Sequence, residues 1–165
     1  MIETLHQLIE ALRAELQQYG ELLALLDQEQ NCVLERAADN LLQTVAALQV
    51  QGGAIEAARA RRESHRRVLV GQLGLPQDAP FSEIIPHLPE DYRPLVQALV
   101  EENNRLLVRV QQRARQNHLL LTRSLEIMQR FLSSLFAAGQ TATYGGNGAV
   151  VPAVGFGHSL YQTVI

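Results

Sequence analysis

Lysine is absent from this chain: all 14 basic residues among its 165 are arginine. Tryptophan is absent too, aromatic residues make up 5%, and one cysteine, Cys32, stands alone. A single cysteine excludes an intramolecular disulfide framework and a cysteine-based zinc site. No run of eighteen apolar residues occurs, so no segment has the pattern of a membrane-spanning helix. Met1-Ile2-Glu3 opens directly on an acidic amphipathic pattern, unlike the basic-then-apolar order of a secretory signal. These absences predict a cytoplasmic protein without stable membrane insertion. The scarcity of aromatics fits a thin helical core built on Leu, Val and Ala.

Catalytic patterns are also missing. His6, His65, His87, His118 and His158 are scattered without metal-ligand spacing such as HxxxH. There is no P-loop, no glycine-rich dinucleotide fingerprint after a strand, and no GxSxG elbow. Cys32 has no histidine near it in sequence and reads as a bystander. Glu101 and Glu102 are neighbours in sequence only, because adjacent helical residues point about 100° apart. The chain therefore reads as a binding protein and not an enzyme, with no metal and no cofactor.

What is present is periodicity. From residue 90 to 136, apolar or seam residues fall at Tyr92, Val96, Leu99, Asn103, Leu106, Val110, Arg113, Asn117 and Leu121. After a one-residue slip they continue at Leu125, Met128, Leu132 and Leu135. Alternating steps of three and four over this length mark one face of a single helix packed as in a coiled coil. Asn103 and Asn117 lie on that seam two heptads apart, and a polar seam residue weakens packing but fixes register.

Two earlier stretches supply the partner. Leu5, Leu8, Leu12, Leu16, Tyr19, Leu23, Leu26 and Val33 have a helical period, interrupted only by the tolerable cost of Gly20. The pattern lapses near Ala37-Ala38, and Asp39 is placed to cap a second helix. That helix carries Leu41, Val45, Leu48, Gly52, Ile55, Ala58, Arg62, His65, Leu69 and Leu73, with its phase unbroken across Gly52-Gly53. Its stripe is thin from Gly52 to His65, a weak point where it either bends or leaves a groove. Gly74-Leu75-Pro76 ends the hairpin, and Phe81, Ile84, Ile85 and Leu88 form a short segment suited to closing one end of the core. The predicted fold is all-α: an antiparallel bundle of three long helices near 2–36, 40–73 and 90–137, with a short helix near 81–86. Residues 1–138 form one helical domain and residues 139–165 a tail.

The net charge of −3 is unevenly spread. Residues 1–36 carry −5 and residues 54–73 carry +3, so the hairpin is expected to set Arg61, Arg62, Arg66 and Arg67 opposite Glu3, Glu10 and Glu15 in exposed pairs. Such pairs orient helices more than they stabilise them. The acidic balance and the lack of interleaved aromatics argue against nucleic acid as a partner. The tail from 137 onward has no charged side chain. Thr141 to Tyr144, then Gly145-Gly146-Asn147-Gly148, then Ala149 to Val151 read as a β-hairpin with a glycine-rich turn.

Beyond Asn117 the long helix is apolar on more than one stripe, at Leu119, Leu120, Leu121, Leu125, Ile127, Met128, Phe131, Leu132, Leu135 and Phe136. A helix with one buried face needs only about three apolar positions in seven. Either the hairpin wraps two of its sides, or an apolar groove receives a partner helix.

At these residues the chain resembles the FlgN family of flagellar export chaperones. The order of elements matches, Asn117-His118-Leu119-Leu120-Leu121 followed by Ser124-Leu125 is similar to the Asn-x-x-Leu-Leu region of the family's last helix, and Tyr144-Gly145-Gly146-Asn147-Gly148 is similar to its Tyr-Gly-x-x-Gly tail motif. Asn147 stands where the family commonly has Asp, and the tail runs on for seventeen residues past Gly148. The resemblance implies a chaperone that covers the C-terminal helices of the hook-associated proteins FlgK and FlgL and delivers them to the cytoplasmic domain of the export gate. It implies client binding through Asn117, Leu120, Leu121, Leu125, Met128, Phe131, Leu132 and Leu135, and gate docking through Tyr144, Gly145 and Gly148. The alternative is a structural coiled-coil protein that self-associates through its long helix.

Overall fold

The computed structural model describes the backbone of residues 1–139 and side chains as far as Ser134. All secondary structure among the described residues is helical: α1 (Ile2–Glu35), α2 (Ala38–Leu73), α3 (Phe81–Ile84) and α4 (Arg93–Gly139), with two single 3-10 turns before α4. The expected boundaries lie within three residues of these. The chain divides into two compact units, Met1–Leu121 and Thr122–Ile165, and α4 contributes to both. The expected β-hairpin in the tail falls outside the described residues.

In the first unit α1 and α2 form a tight antiparallel hairpin. Its turn is made by Arg36 in the left-handed region, φ 58°, while Ala37 N–H reaches back to the Cys32 carbonyl at 2.9 Å. A non-glycine residue there is uncommon. Asp39 does not cap α2: Ala37 holds the N-cap position without a side-chain hydrogen bond, and Asp39 sits inside the first turn. Its carboxylate still favours the positive end of the helix dipole from there. At the far end Gly74 takes φ 68°, the conformation glycine adopts without strain, and stops α2.

The core has two parts. Leu5, Leu8, Leu12, Leu69, Ile84, Leu88 and Val96 are buried together at the open end of the hairpin, with Phe81 and Ile85 packed against them. Each such side chain contributes about 1.5–3 kcal/mol through removal from water. The proline-rich connection therefore closes that end, as its apolar residues suggested. Farther along, Tyr19, Leu26, Ile55 and Val110 form a second cluster.

Helix α4 lies along α1 in a fixed register. Asn103 Nδ2 donates to the Leu12 carbonyl at 3.1 Å, and Asn117 Nδ2 donates to the Leu26 carbonyl at 2.7 Å. Both pairs advance in the same direction, so α4 runs parallel to α1 and opposite to α2. Val96, Asn103, Val110 and Asn117, spaced by seven, are all buried.

The charged contacts differ from the expected exposed ladder. Among the expected acids only Glu15 reaches across to α2, and it is 1% exposed. Arg62 Nη1 lies 3.2 Å from Glu15 Oε1 in hydrogen-bond alignment and 3.1 Å from Oε2 out of line. Tyr19 donates its hydroxyl hydrogen to Glu15 and accepts one from Arg59 Nε at 2.7 Å. Burial pushes the Tyr19 hydroxyl pKa up. Glu10 pairs instead with Arg13 on its own helix, and Glu3 with Gln7, because both acids face outward.

Arg66 ties the hairpin to the connection. Its guanidinium engages both Glu63 oxygens and donates to the carbonyls of Gln77 and Ala79 at 2.8 and 2.7 Å. The bond from Arg66, helped by one from Arg67, holds the Glu63 carboxyl down at about 2, although partial burial opposes this. A depressed folded-state value means this contribution is complete above the ordinary carboxylate range near 4.5 and is lost as pH falls toward 2. Arg66→Ala is expected to cost about 1.5–3 kcal/mol by urea denaturation, as charged hydrogen bonds do. Glu63→Gln is expected to flatten the loss of stability between pH 4.5 and 2. An unchanged pH profile in that variant would contradict the clamp.

Candidate client-binding surfaces

The residues expected to bind a partner divide between the two units. In the first, Asn117 is 3% exposed, and Leu120 and Leu121 are half-buried. Asn117 is thus a seam residue before it is a surface one. Its amide donates to the Leu26 carbonyl and, at 2.8 Å, to Glu29 Oε2. One turn earlier Arg113 pairs with Asp27 at 2.7 Å and donates to Gln30. Beside these residues a cleft of about 360 Å³ opens between apolar walls from α1, α2 and α4, and Asn117 and Leu121 line it.

In the second unit the described part is helical to Gly139. Leu125 is 58% exposed and Phe131 is 59% exposed. Met128 and Leu132 are exposed as well, together with Ile127. Leu125, Met128 and Leu132 continue the three-and-four spacing of the seam, yet none is buried. Leu135 lies within α4, with its side chain outside the description. Tyr144, Gly145 and Gly148 lie beyond the described residues.

A side chain such as Phe131 on a soluble helix is unremarkable alone. Five large apolar residues within eight positions are not, since large contiguous apolar patches on a monomer mark interaction sites. Steps of three and four from Leu125 to Met128 to Leu132 align along one face, the arrangement that docks a second helix. Met128 is unbranched and polarisable and adapts to partners of varied shape. No group of three or more His, Cys, Asp or Glu able to hold a metal occurs among the described residues. None of their helices is long and apolar enough to cross a membrane.

A second cleft, of about 340 Å³, lies where Pro80 and Phe81 of the connection meet Leu12, Arg62 and Asn103. It corresponds to the thin stretch of the α2 stripe around Arg62. Helix α2 runs unbroken through Gly52 and Gly53.

Sequence reasoning missed Glu29 and expected Glu15 in an exposed pair, whereas both are buried carboxylates on α1. The available signal was their position: each is three residues beyond a seam leucine, Leu12 and Leu26, which places it on the same face. The stripe of the first helix is traced by its apolar residues alone, which leaves both carboxylates off it.

Compared with known proteins, the chain matches a family model described as FlgN protein over residues 1–152. No curated protein and no solved structure matches the chain.

Proposed function

The chain belongs to the FlgN family of flagellar export chaperones, whose members bind flagellar hook-associated proteins, and we propose that it holds the C-terminal helices of FlgK and FlgL in the cytoplasm. On this reading it keeps those helices from assembling early and delivers them to the cytoplasmic domain of the export gate. A bundle of three long helices serves as the support, and the last helix supplies the binding face. The observation that carries the reading is the exposure of Leu125, Met128, Phe131 and Leu132 on that helix.

The physical task matches the surface. A client helix that will later pack against its neighbours in the assembled flagellum carries an apolar face that water penalises. Laying that face on the stripe removes both from water at roughly 25 cal/mol per Å². Association also costs freedom of motion, so only the best-packed side chains decide affinity. Phe131 and Leu125 are the natural anchors.

The double variant Leu125→Asp, Phe131→Asp is expected to lose client binding by at least about 100-fold, each site acting as an interface hot spot of about 2 kcal/mol. Helical content should not change, since both side chains face solvent. Full binding by this variant in isothermal titration would move the client site elsewhere, the thin stretch around Gly52 being the next place.

The same exposed stripe favours a second reading, self-association through the long helix. Sedimentation separates the two: a monomer that forms a 1:1 complex with a hook-associated protein supports the chaperone, and a dimer that ignores the client supports the alternative.

Delivery is assigned to the tail. Tyr144 combines an apolar ring with a hydroxyl, and Gly145 and Gly148 let a partner approach the backbone closely. Tyr144→Ala is expected to leave the client complex intact while weakening binding to the gate's cytoplasmic domain and lowering client secretion. Normal gate binding by that variant would return the tail to a structural role.

A further inference from the structure

The cleft beside Asn117 is lined by apolar residues and by a few polar ones. Leu22, Leu26, Leu48 and Val110 are among its apolar lining, and Glu29, Asn117 and His118 are its polar lining. Glu29 is 7% exposed. Its Oε2 accepts from Asn117 Nδ2, and among the described residues no cation stands within ion-pair distance of it. Arg113, one turn away, is committed to Asp27 and Gln30. Asn117 has spent its amide hydrogens on Leu26 and Glu29, and its Oδ1 is buried with no partner.

Two independent features therefore ask for the same thing. A carboxylate in an apolar setting is costly unless paired with a cation. A buried amide oxygen left without a donor is uncommon enough to need a cause. Water can supply donors but no charge. The space available is near the lower end of ligand-sized pockets, which span about 300–1,000 Å³, and suits one long side chain. An aliphatic stem against leucines with a cationic head at Glu29 describes arginine or lysine. A guanidinium fork also spans two separate acceptors, as Glu29 and Asn117 provide.

We propose that this cleft receives a cationic side chain, arginine or lysine, projecting from the client's helix. The inference rests on the chaperone reading and deepens it: it names a charged feature that the client must carry in addition to its apolar face. The cation neutralises Glu29 and donates to Asn117 Oδ1, so it selects clients and sets their register on the chaperone.

Two measurements test it. In the first, the wild-type chain is titrated with n-butylguanidinium, its neutral isostere n-butylurea and the anion pentanoate, following the side-chain amide of Asn117 by nuclear magnetic resonance. Saturable shifts with n-butylguanidinium, about tenfold weaker with n-butylurea and absent in Glu29→Gln, are expected for a charge-selective site. Equal responses to the cation and the urea, or an unchanged response in Glu29→Gln, would make the cleft a hydrated gap and overturn the proposal. In the second, a synthetic C-terminal peptide of a hook-associated protein has its Arg and Lys residues replaced singly by norleucine. One replacement should weaken binding to the wild-type chain about tenfold and leave binding to Glu29→Gln unaffected, the signature of a coupled pair. If the peptide binds both chains equally, the cleft proposal falls and the chaperone reading stands. If it does not bind the wild-type chain at all, the chaperone reading falls, and the client as source of the cation falls with it.

Discussion

Two side-chain amides hold the arrangement on which everything else depends. Asn103 and Asn117 stand fourteen residues apart on α4 and reach the carbonyls of Leu12 and Leu26, also fourteen apart on α1. A seam of leucine and valine alone tolerates sliding by a turn, because one apolar contact replaces another. An amide donor that must meet one carbonyl does not tolerate it, and the paired spacing makes any slip cost two hydrogen bonds at once. Each Asn has its own oxygen buried and unpartnered in the free protein. Specific register at some expense of stability is the usual consequence of a polar group on a seam.

That register explains how the first unit positions its chemistry. With α4 fixed on α1, Glu29 comes to Asn117 and Asp27 comes to Arg113, and the cleft opens beside them. The hairpin is held separately, by the Glu15–Arg62 contact with Tyr19 and Arg59, and by the Arg66 clamp on the connection. Past Leu121 the spacing of the seam persists while its burial ends, so Leu125, Met128 and Leu132 keep an interface pattern on an open face. A chaperone for helices that assemble later needs such a face, since it must cover its client and then release it.

Much of this was legible in the residues. Helical periods located α1, α2 and α4, and the seven-residue repeat from Val96 to Asn117 gave the buried face of α4 because packing enforces it. The connection's closing role followed from Phe81, Ile84, Ile85 and Leu88 for the same reason. Capping was less legible: Asp39 is a good cap residue by type, but the cap position falls two residues earlier at Ala37, where backbone geometry and not a side chain makes the turn. Charge was read at too coarse a scale. Opposite net charges on facing segments are compatible with many pairings, and only position on the helix face separates buried Glu15 from exposed Glu3 and Glu10. Whether Leu125 and Phe131 were covered turned on tertiary packing, which periodicity does not contain.

The central claim is that the end of α4 is the client's seat. Hydrogen exchange across the chain, with and without a hook-associated protein, reads this directly. The account predicts new protection of amides in residues 119–134 when the client is added, with those of the α1–α2 hairpin core unchanged. Protection that appears instead along residues 52–65, with residues 119–134 exchanging as before, would contradict it.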